Sequence, residues 1–181
     1  EHHPQIGEFR TEISSFVTKS GCQKIEIKTF SIGAYGLALH DGVVYNPIIF
    51  KMTHVGLGYL LYIIFHEIAH QYQYKKYGRD KMYELYNGKL QIDDAVAFLK
   101  NTENVADQFA IRKCRELHKL GLLDRVGLVQ KGVYSVFPDI SLARMIQHFR
   151  NILKNNNITD PERVSEIRIN KYNAQNTYPN F

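Results

Sequence analysis

The segment His66-Glu67-Ile68-Ala69-His70 holds the residues best suited to do chemistry. On a helix, positions four apart lie about 40° from each other on one face. His66 and His70 can therefore aim two imidazoles at one ion, and neutral imidazole is a good zinc ligand. Glu67 lies about 100° round the helix from His66, where it can reach a water on the ion without displacing it. In a chain with 8 His, chance gives about 0.02 occurrences of this pattern. An ordinary pair of surface histidines is the rival reading. Against it, the motif follows Leu60-Leu61-Tyr62-Ile63-Ile64-Phe65, the most apolar stretch of the chain. Ionisable groups placed there need a compensating partner, which a metal supplies.

A catalytic zinc takes three protein ligands and keeps a fourth position open. The third is expected downstream on another element, and Glu103 in Glu103-Asn104-Val105-Ala106-Asp107 is the candidate. Asp107 follows one turn later on the same face, where it can accept the N–H of a ligating imidazole and fix its tautomer. Ala106 and Ala110 share roughly that face, so this helix can lie close against the one bearing the histidines. A carboxylate at a helix start also suits the macrodipole alone, which is the plainer account of Glu103. His118 and His148 are rival third ligands. His40 and His54 precede the motif, and His40 belongs to a turn.

Positioning these residues requires a particular order of elements. Ile6, Phe9, Ile13, Phe16 and Val17 follow helical spacing over Gln5–Lys19, with Gly21 as the stop. Lys24–Phe30 alternates charged and apolar residues, as a half-buried strand does. Tyr35–Tyr45 reads as a hairpin turning at Asp41-Gly42, with positive φ at both turn residues, and Asn46-Pro47 closes it. A strongly apolar helix is predicted over Thr53–Lys76, stopping at Gly78. Two separate helices follow, Asp93–Lys100 and Thr102–Leu120, the second N-capped by Thr102 and ended by Gly121. After Pro138-Asp139, another helix places Ile140, Leu142, Met145, Ile146, Phe149 and Ile152 on one face, and a short helix is expected from Pro161. The fold class is α+β: a small antiparallel sheet with an edge-strand hairpin packed on the active-site helix, and a helical C-terminal half. One domain is expected over residues 1–181, with a core at about 24–120 and a helical extension over 121–181.

At this point the residues resemble a known group. His66-Glu67-Ile68-Ala69-His70 followed by Glu103-Asn104-Val105-Ala106-Asp107 is similar to the gluzincin pattern of zinc metallopeptidases, H-E-x-x-H then E-x-x-A/S-D. The resemblance covers roughly residues 24–120 and is specific at about five positions. The chain is comparable in size to minimal zincins. The resemblance implies Zn2+ held by His66, His70 and Glu103, with Glu67 as general base and Asp107 as the supporting carboxylate. It implies a zincin-like fold, with an edge strand ahead of the active-site helix where Tyr35–Pro47 lies. The 32 residues between His70 and Glu103 exceed the thermolysin-like spacing. The expected activity is peptide-bond hydrolysis by a metal-activated water, Glu67 taking its proton and passing it to the leaving amine. The oxyanion needs a further donor, for which Tyr62, Tyr72, His118 and His148 are candidates. The expected partner is a peptide or protein substrate, which can add to the edge strand near Gly36–His40.

Composition sets the frame. With 44% hydrophobic residues, 12 Tyr and 10 Phe, the chain can bury a core. The net charge of +5 and pI of about 9.1 raise nucleic acid as a rival partner, with Lys75-Lys76-Tyr77-Gly78-Arg79 as its cluster. The charges form no dense stripe, and basic residues at a helix end suit the dipole, so a solvated surface is the simpler reading. A non-catalytic or regulatory zinc module is the other rival; retention of Glu67 counts against it. The Tyr-rich stretch from Tyr72 to Tyr86 is expected to cover core rather than wall a cleft. Cys22 and Cys114 are expected to be free and buried, which favours a reducing compartment such as the cytoplasm. The apolar run Val55–Phe65 is too short to span a bilayer. The chain opens on Glu1 rather than Met, which leaves room for a removed leader.

Overall fold

The structure is a computed structural model and describes residues 10–28, 35–51, 57–121 and 138–164. The positions of Ile6, Phe9, Thr29, Phe30, Thr53 and His54 lie outside the described residues. The elements are α1 (Arg10–Ser20), β1 (Lys24–Ile27), β2 (Gly36–Leu39), β3 (Gly42–Tyr45), a 3-10 turn (Pro47–Lys51), α2 (Leu57–Tyr77), α3 (Arg79–Tyr83), α4 (Ile92–Lys119) and α5 (Asp139–Asn155). The class is α+β, dominated by helix. A further helical turn follows Pro161 over residues 162–164.

Helix α2 is the central element. Its first half is apolar on all sides, and Leu60 to Phe65 are all buried. A helix of that kind must be surrounded; α1, α4, β2 and β3 surround it, with its largest interface against α4. It ends where sequence places the stop: Gly78 takes φ 82°, and its N–H returns to Tyr74 O at 2.9 Å. Gly21 and Gly121 end α1 and α4 with φ of 81° and 72°.

The sheet is mixed rather than antiparallel, in the order β1-β3-β2. β2 and β3 pair antiparallel, while β1 joins β3 in parallel, Lys24 opposite Gly42 and Ile27 opposite Tyr45. The hairpin turn is also displaced. Gly42 already pairs with Leu39, so the two turn residues are His40 and Asp41. Neither has positive φ, and nor does Gly42. Gly42 serves the neighbouring strand instead: a Cβ there would stand 2.5 Å from Lys24 O. β1 is not half-buried through its isoleucines. Ile25 and Ile27 are exposed, because α2 packs on β2 and β3 and β1 lies at the other edge.

The two helices expected over 93–120 are one helix of 28 residues, α4. Thr102 caps nothing. It is buried, and its hydroxyl donates back to Phe98 O and Leu99 O at 3.1 and 2.9 Å. That back-bonding removes the incentive to break the helix at Asn101-Thr102. Glu103 is thereby interior to a long helix, beyond reach of an N-terminal dipole, which disposes of the plainer account of its presence. On α5, Leu142, Ile146 and Leu153 are buried, whereas Ile140 and Met145 are exposed, so the packed stripe is narrower than expected. The cysteines are free, Cys114 buried and Cys22 half-buried. Among the described residues, no helix is long and apolar enough to cross a membrane.

Candidate metal centre

The seam between α2 and α4 carries the site. Ala106 and Ala110 are fully buried in that seam, and their small side chains let the helices approach. His66, His70 and Glu103 meet there, with one ligand atom from each within a common 4.8 Å. His66 Nε2 lies 3.1 Å from Glu103 Oε2 and 3.2 Å from His70 Nε2. His70 Nε2 lies 3.6 Å from Glu103 Oε1. A tetrahedral ion with ligands at 2.0–2.2 Å has ligand–ligand edges of about 3.3–3.6 Å. The two imidazole nitrogens stand near that separation from each other, and each stands near it from one of the two Glu103 oxygens. The donor set, two imidazole nitrogens and a carboxylate oxygen, suits zinc, and three ligands leave its fourth position open.

The ring nitrogens facing away from this point are also provided for. Gln73 donates its amide Nε2 to Thr102 O at 2.7 Å, which fixes its Oε1 as an acceptor. That oxygen lies 2.9 Å from His70 Nδ1. His70 must then carry its proton on Nδ1 and present a lone pair at Nε2. Asp107, fully buried, stands 3.0 Å from His66 Nδ1. The contact is out of line for a hydrogen bond, and among the described residues neither His66 Nδ1 nor Asp107 Oδ2 has a hydrogen-bond partner. Closure of this pair is what ligation at Nε2 calls for.

Electrostatics bind the cluster tightly. Burial opposes the charged form of His66, but the Asp107 and Glu103 carboxylates outweigh it and raise the imidazole to about 10. For His70, burial is likewise outweighed, chiefly by Glu103. Burial would raise Glu103; the charge of His70 and the contacts with both imidazoles hold it well below the usual carboxylate range. Both imidazoles thus hold a proton more tightly than a free histidine does, and ligation of an ion at Nε2 competes with a proton there.

Glu67 sits at the junction of α2 with β2. Burial raises it above the usual carboxylate range, Glu103 adds to this, and His66, His70 and the Ala38 amide oppose it. Gln71 ties the same helix to the hairpin, donating to Leu39 O and Gly42 O at 2.6 and 2.9 Å. Tyr45 donates to Ile64 O at 2.9 Å.

The other sequence candidates fall elsewhere. Tyr62 donates its hydroxyl to Asp107 Oδ1, on the Nδ1 side of His66. Its hydroxyl is thus engaged with Asp107. Tyr72 points its hydroxyl toward Phe16 O and packs on Phe109. His118 is exposed in the last turn of α4, roughly 22 Å along the axis from Glu103. His148 lies on the exposed side of α5. His40 lies at the hairpin turn, 3.7 Å from Glu162. Arg79, from the basic cluster, pairs with Asp160 and Glu162. Tyr74 donates to Tyr83 at 2.9 Å, Tyr83 to Glu162 at 2.6 Å, and Tyr86 packs on Phe149, so these tyrosines bind elements together. Gln73 and Gly36 were not read from sequence; the only signal for Gln73 was its place one turn after His70. No family model, curated protein or solved structure matches the chain.

Proposed function

We propose that this chain is a zinc-dependent peptide-bond hydrolase of the zincin type, with a gluzincin-like ligand set. The observation that carries the reading is the convergence of His66 Nε2, His70 Nε2 and the Glu103 carboxylate, one ligand atom from each lying within 4.8 Å of the others. Zn2+ bound there supplies an acidified water and a Lewis acid for the scissile carbonyl.

The protein's own groups supply the rest. Gln73 holds His70 by its Nδ1 side, and Asp107 stands 3.0 Å from His66 Nδ1, placed to do the same when that imidazole ligates through Nε2. Glu67, one residue from a ligand, accepts a proton from the attacking water and returns it to the leaving amine. Burial at the junction of α2 with β2 raises its affinity for protons in the metal-free protein. Among the described residues β2 is an edge strand, and it lies beside Glu67, so an extended peptide can be held by its backbone along it.

Zinc content and cleavage test this together. Wild type should hold one zinc per chain and cleave members of a mixed peptide library. Glu67→Gln should keep the zinc and lose about 10²–10⁴-fold in rate. Cleavage by Glu67→Gln at the wild-type rate contradicts the mechanism. Zinc retained by a wild type that cleaves no peptide contradicts the activity and leaves a binding module.

A further inference from the structure

Gly36 opens β2, and its backbone is ordinary, with no positive φ to demand glycine. Space demands it. A Cβ on Gly36 would lie 2.5 Å from Glu67 Cγ, 2.9 Å from Cδ and 2.9 Å from Oε1. The three nearest atoms all belong to Glu67. Cγ is close to the root of that side chain, so turning the carboxylate does not relieve the clash; the whole side chain must change rotamer. In a helix such alternatives are few, because one χ1 well collides with the preceding turn.

The pattern extends along the strand. Gly36 pairs with Tyr45 and Ala38 with Val43. Tyr45 and Val43 belong to the core cluster built around α2, so Gly36 and Ala38 share the helix-facing side of β2. The two smallest side chains of the alphabet line that side, and Glu67 runs in the slot they leave.

We infer that Gly36 is a positioning residue for the reaction: the missing side chain opens the slot that places the Glu67 carboxylate beside the metal centre. This rests on the reading of Glu67 as the proton carrier. None of the three contacts involves His66, His70 or Glu103, so metal binding is separable from the placement of Glu67.

The sign of one substitution discriminates. Gly→Ala at an ordinary strand φ stabilises slightly when there is room. Gly36→Ala should instead lower the unfolding midpoint by about 5 °C. Placing Glu67→Ala in the same background should recover that loss, because it removes the atoms that clash. Zinc content of Gly36→Ala should stay at the wild-type value, and kcat for peptide cleavage should fall about 10²-fold with KM little changed. Wild-type kcat in Gly36→Ala overturns the inference, as does a midpoint loss that Glu67→Ala fails to recover. If wild type holds zinc and cleaves nothing, the hydrolase reading fails, and the melting cycle alone decides whether residue 36 sets the position of Glu67.

Discussion

Two hydrophobic cores flank α4, and they differ in what they tolerate. The first gathers Val43, Leu61, Phe65, Ile68, Ala110 and Cys114 around α2. The second gathers Leu85, Ala95, Val96, Leu99, Leu142 and Ile146 between α4 and α5. α4 serves the second core with its N-terminal half and the first with its C-terminal half. Thr102, Glu103 and Asp107 lie at the changeover. Buried polar side chains concentrate beside the first core: His70, Gln71, Gln73, Thr102 and Asp107 all lie on α2 or α4. Burying them is costly unless each is paired, and all but part of Asp107 are. The second core is apolar, closed by Arg150 donating to Leu85 O and Leu90 O at 2.8 and 2.9 Å. One core stores stability, while the other spends some of it to hold a charged cluster in place.

The comparison breaks most visibly under cavity formation. Phe65→Ala in the first core should cost about 3–5 kcal/mol and take zinc binding with it. Ile146→Ala in the second should cost about 2–5 kcal/mol and leave one zinc per chain. Chemical denaturation with parallel zinc assays checks both; equal zinc loss in the two variants removes the distinction.

A smaller effect comes from the supporting residues. Gln73→Leu releases His70 Nδ1 and Thr102 O, and should weaken zinc about 10–100-fold in a chelator competition. Unchanged affinity means that Gln73 does not set the tautomer of His70.

The pH dependence of the metal-free protein sharpens the electrostatic side. His66 is raised from 6.5 to about 10 in the folded state. Its contribution is therefore complete below pH 6.5 and is lost as pH climbs through about 10. Glu103 is depressed, so its contribution holds above its ordinary value of 4.5 and fails only in acid. Melting in the presence of chelator should show the midpoint falling between pH 6.5 and 10, less steeply in His66→Ala. Zinc affinity should rise over the same window, since the imidazole must shed its proton. The smallest effect belongs to the exposed pair Lys100–Asp139, separated by 2.6 Å beside the second core. Lys100→Ala should cost less than about 1 kcal/mol by denaturant titration and leave zinc untouched.

Legibility in the sequence follows the range of each interaction. The helical spacing of His66 and His70, the apolar run before them and the glycine stops at 21, 78 and 121 are local, and local pattern sufficed. Grouping Glu103 and Asp107 with the histidines rested on one-turn spacing and on two alanines that permit close approach. What was missed is non-local. Asn101-Thr102 resembles a helix break until burial and back-bonding to Phe98 and Leu99 are seen. Asp41-Gly42 resembles a hairpin turn until β1 takes up the space over Gly42. The exposure of Ile25 and Ile27 depends on which strands α2 covers. Gly36 and Gln73 act through residues on other strands and helices, which periodicity within one segment does not report.

The central claim is that His66, His70 and Glu103 hold one zinc ion through two nitrogens and a carboxylate oxygen. X-ray absorption at the zinc edge, on protein loaded with one equivalent and washed, reads that shell directly. Two imidazole nitrogens and light oxygen ligands are expected at about 2.0–2.2 Å, with an imidazole lost in His70→Ala. A sulfur ligand at about 2.3 Å, or zinc that washes away from the wild type, would contradict it.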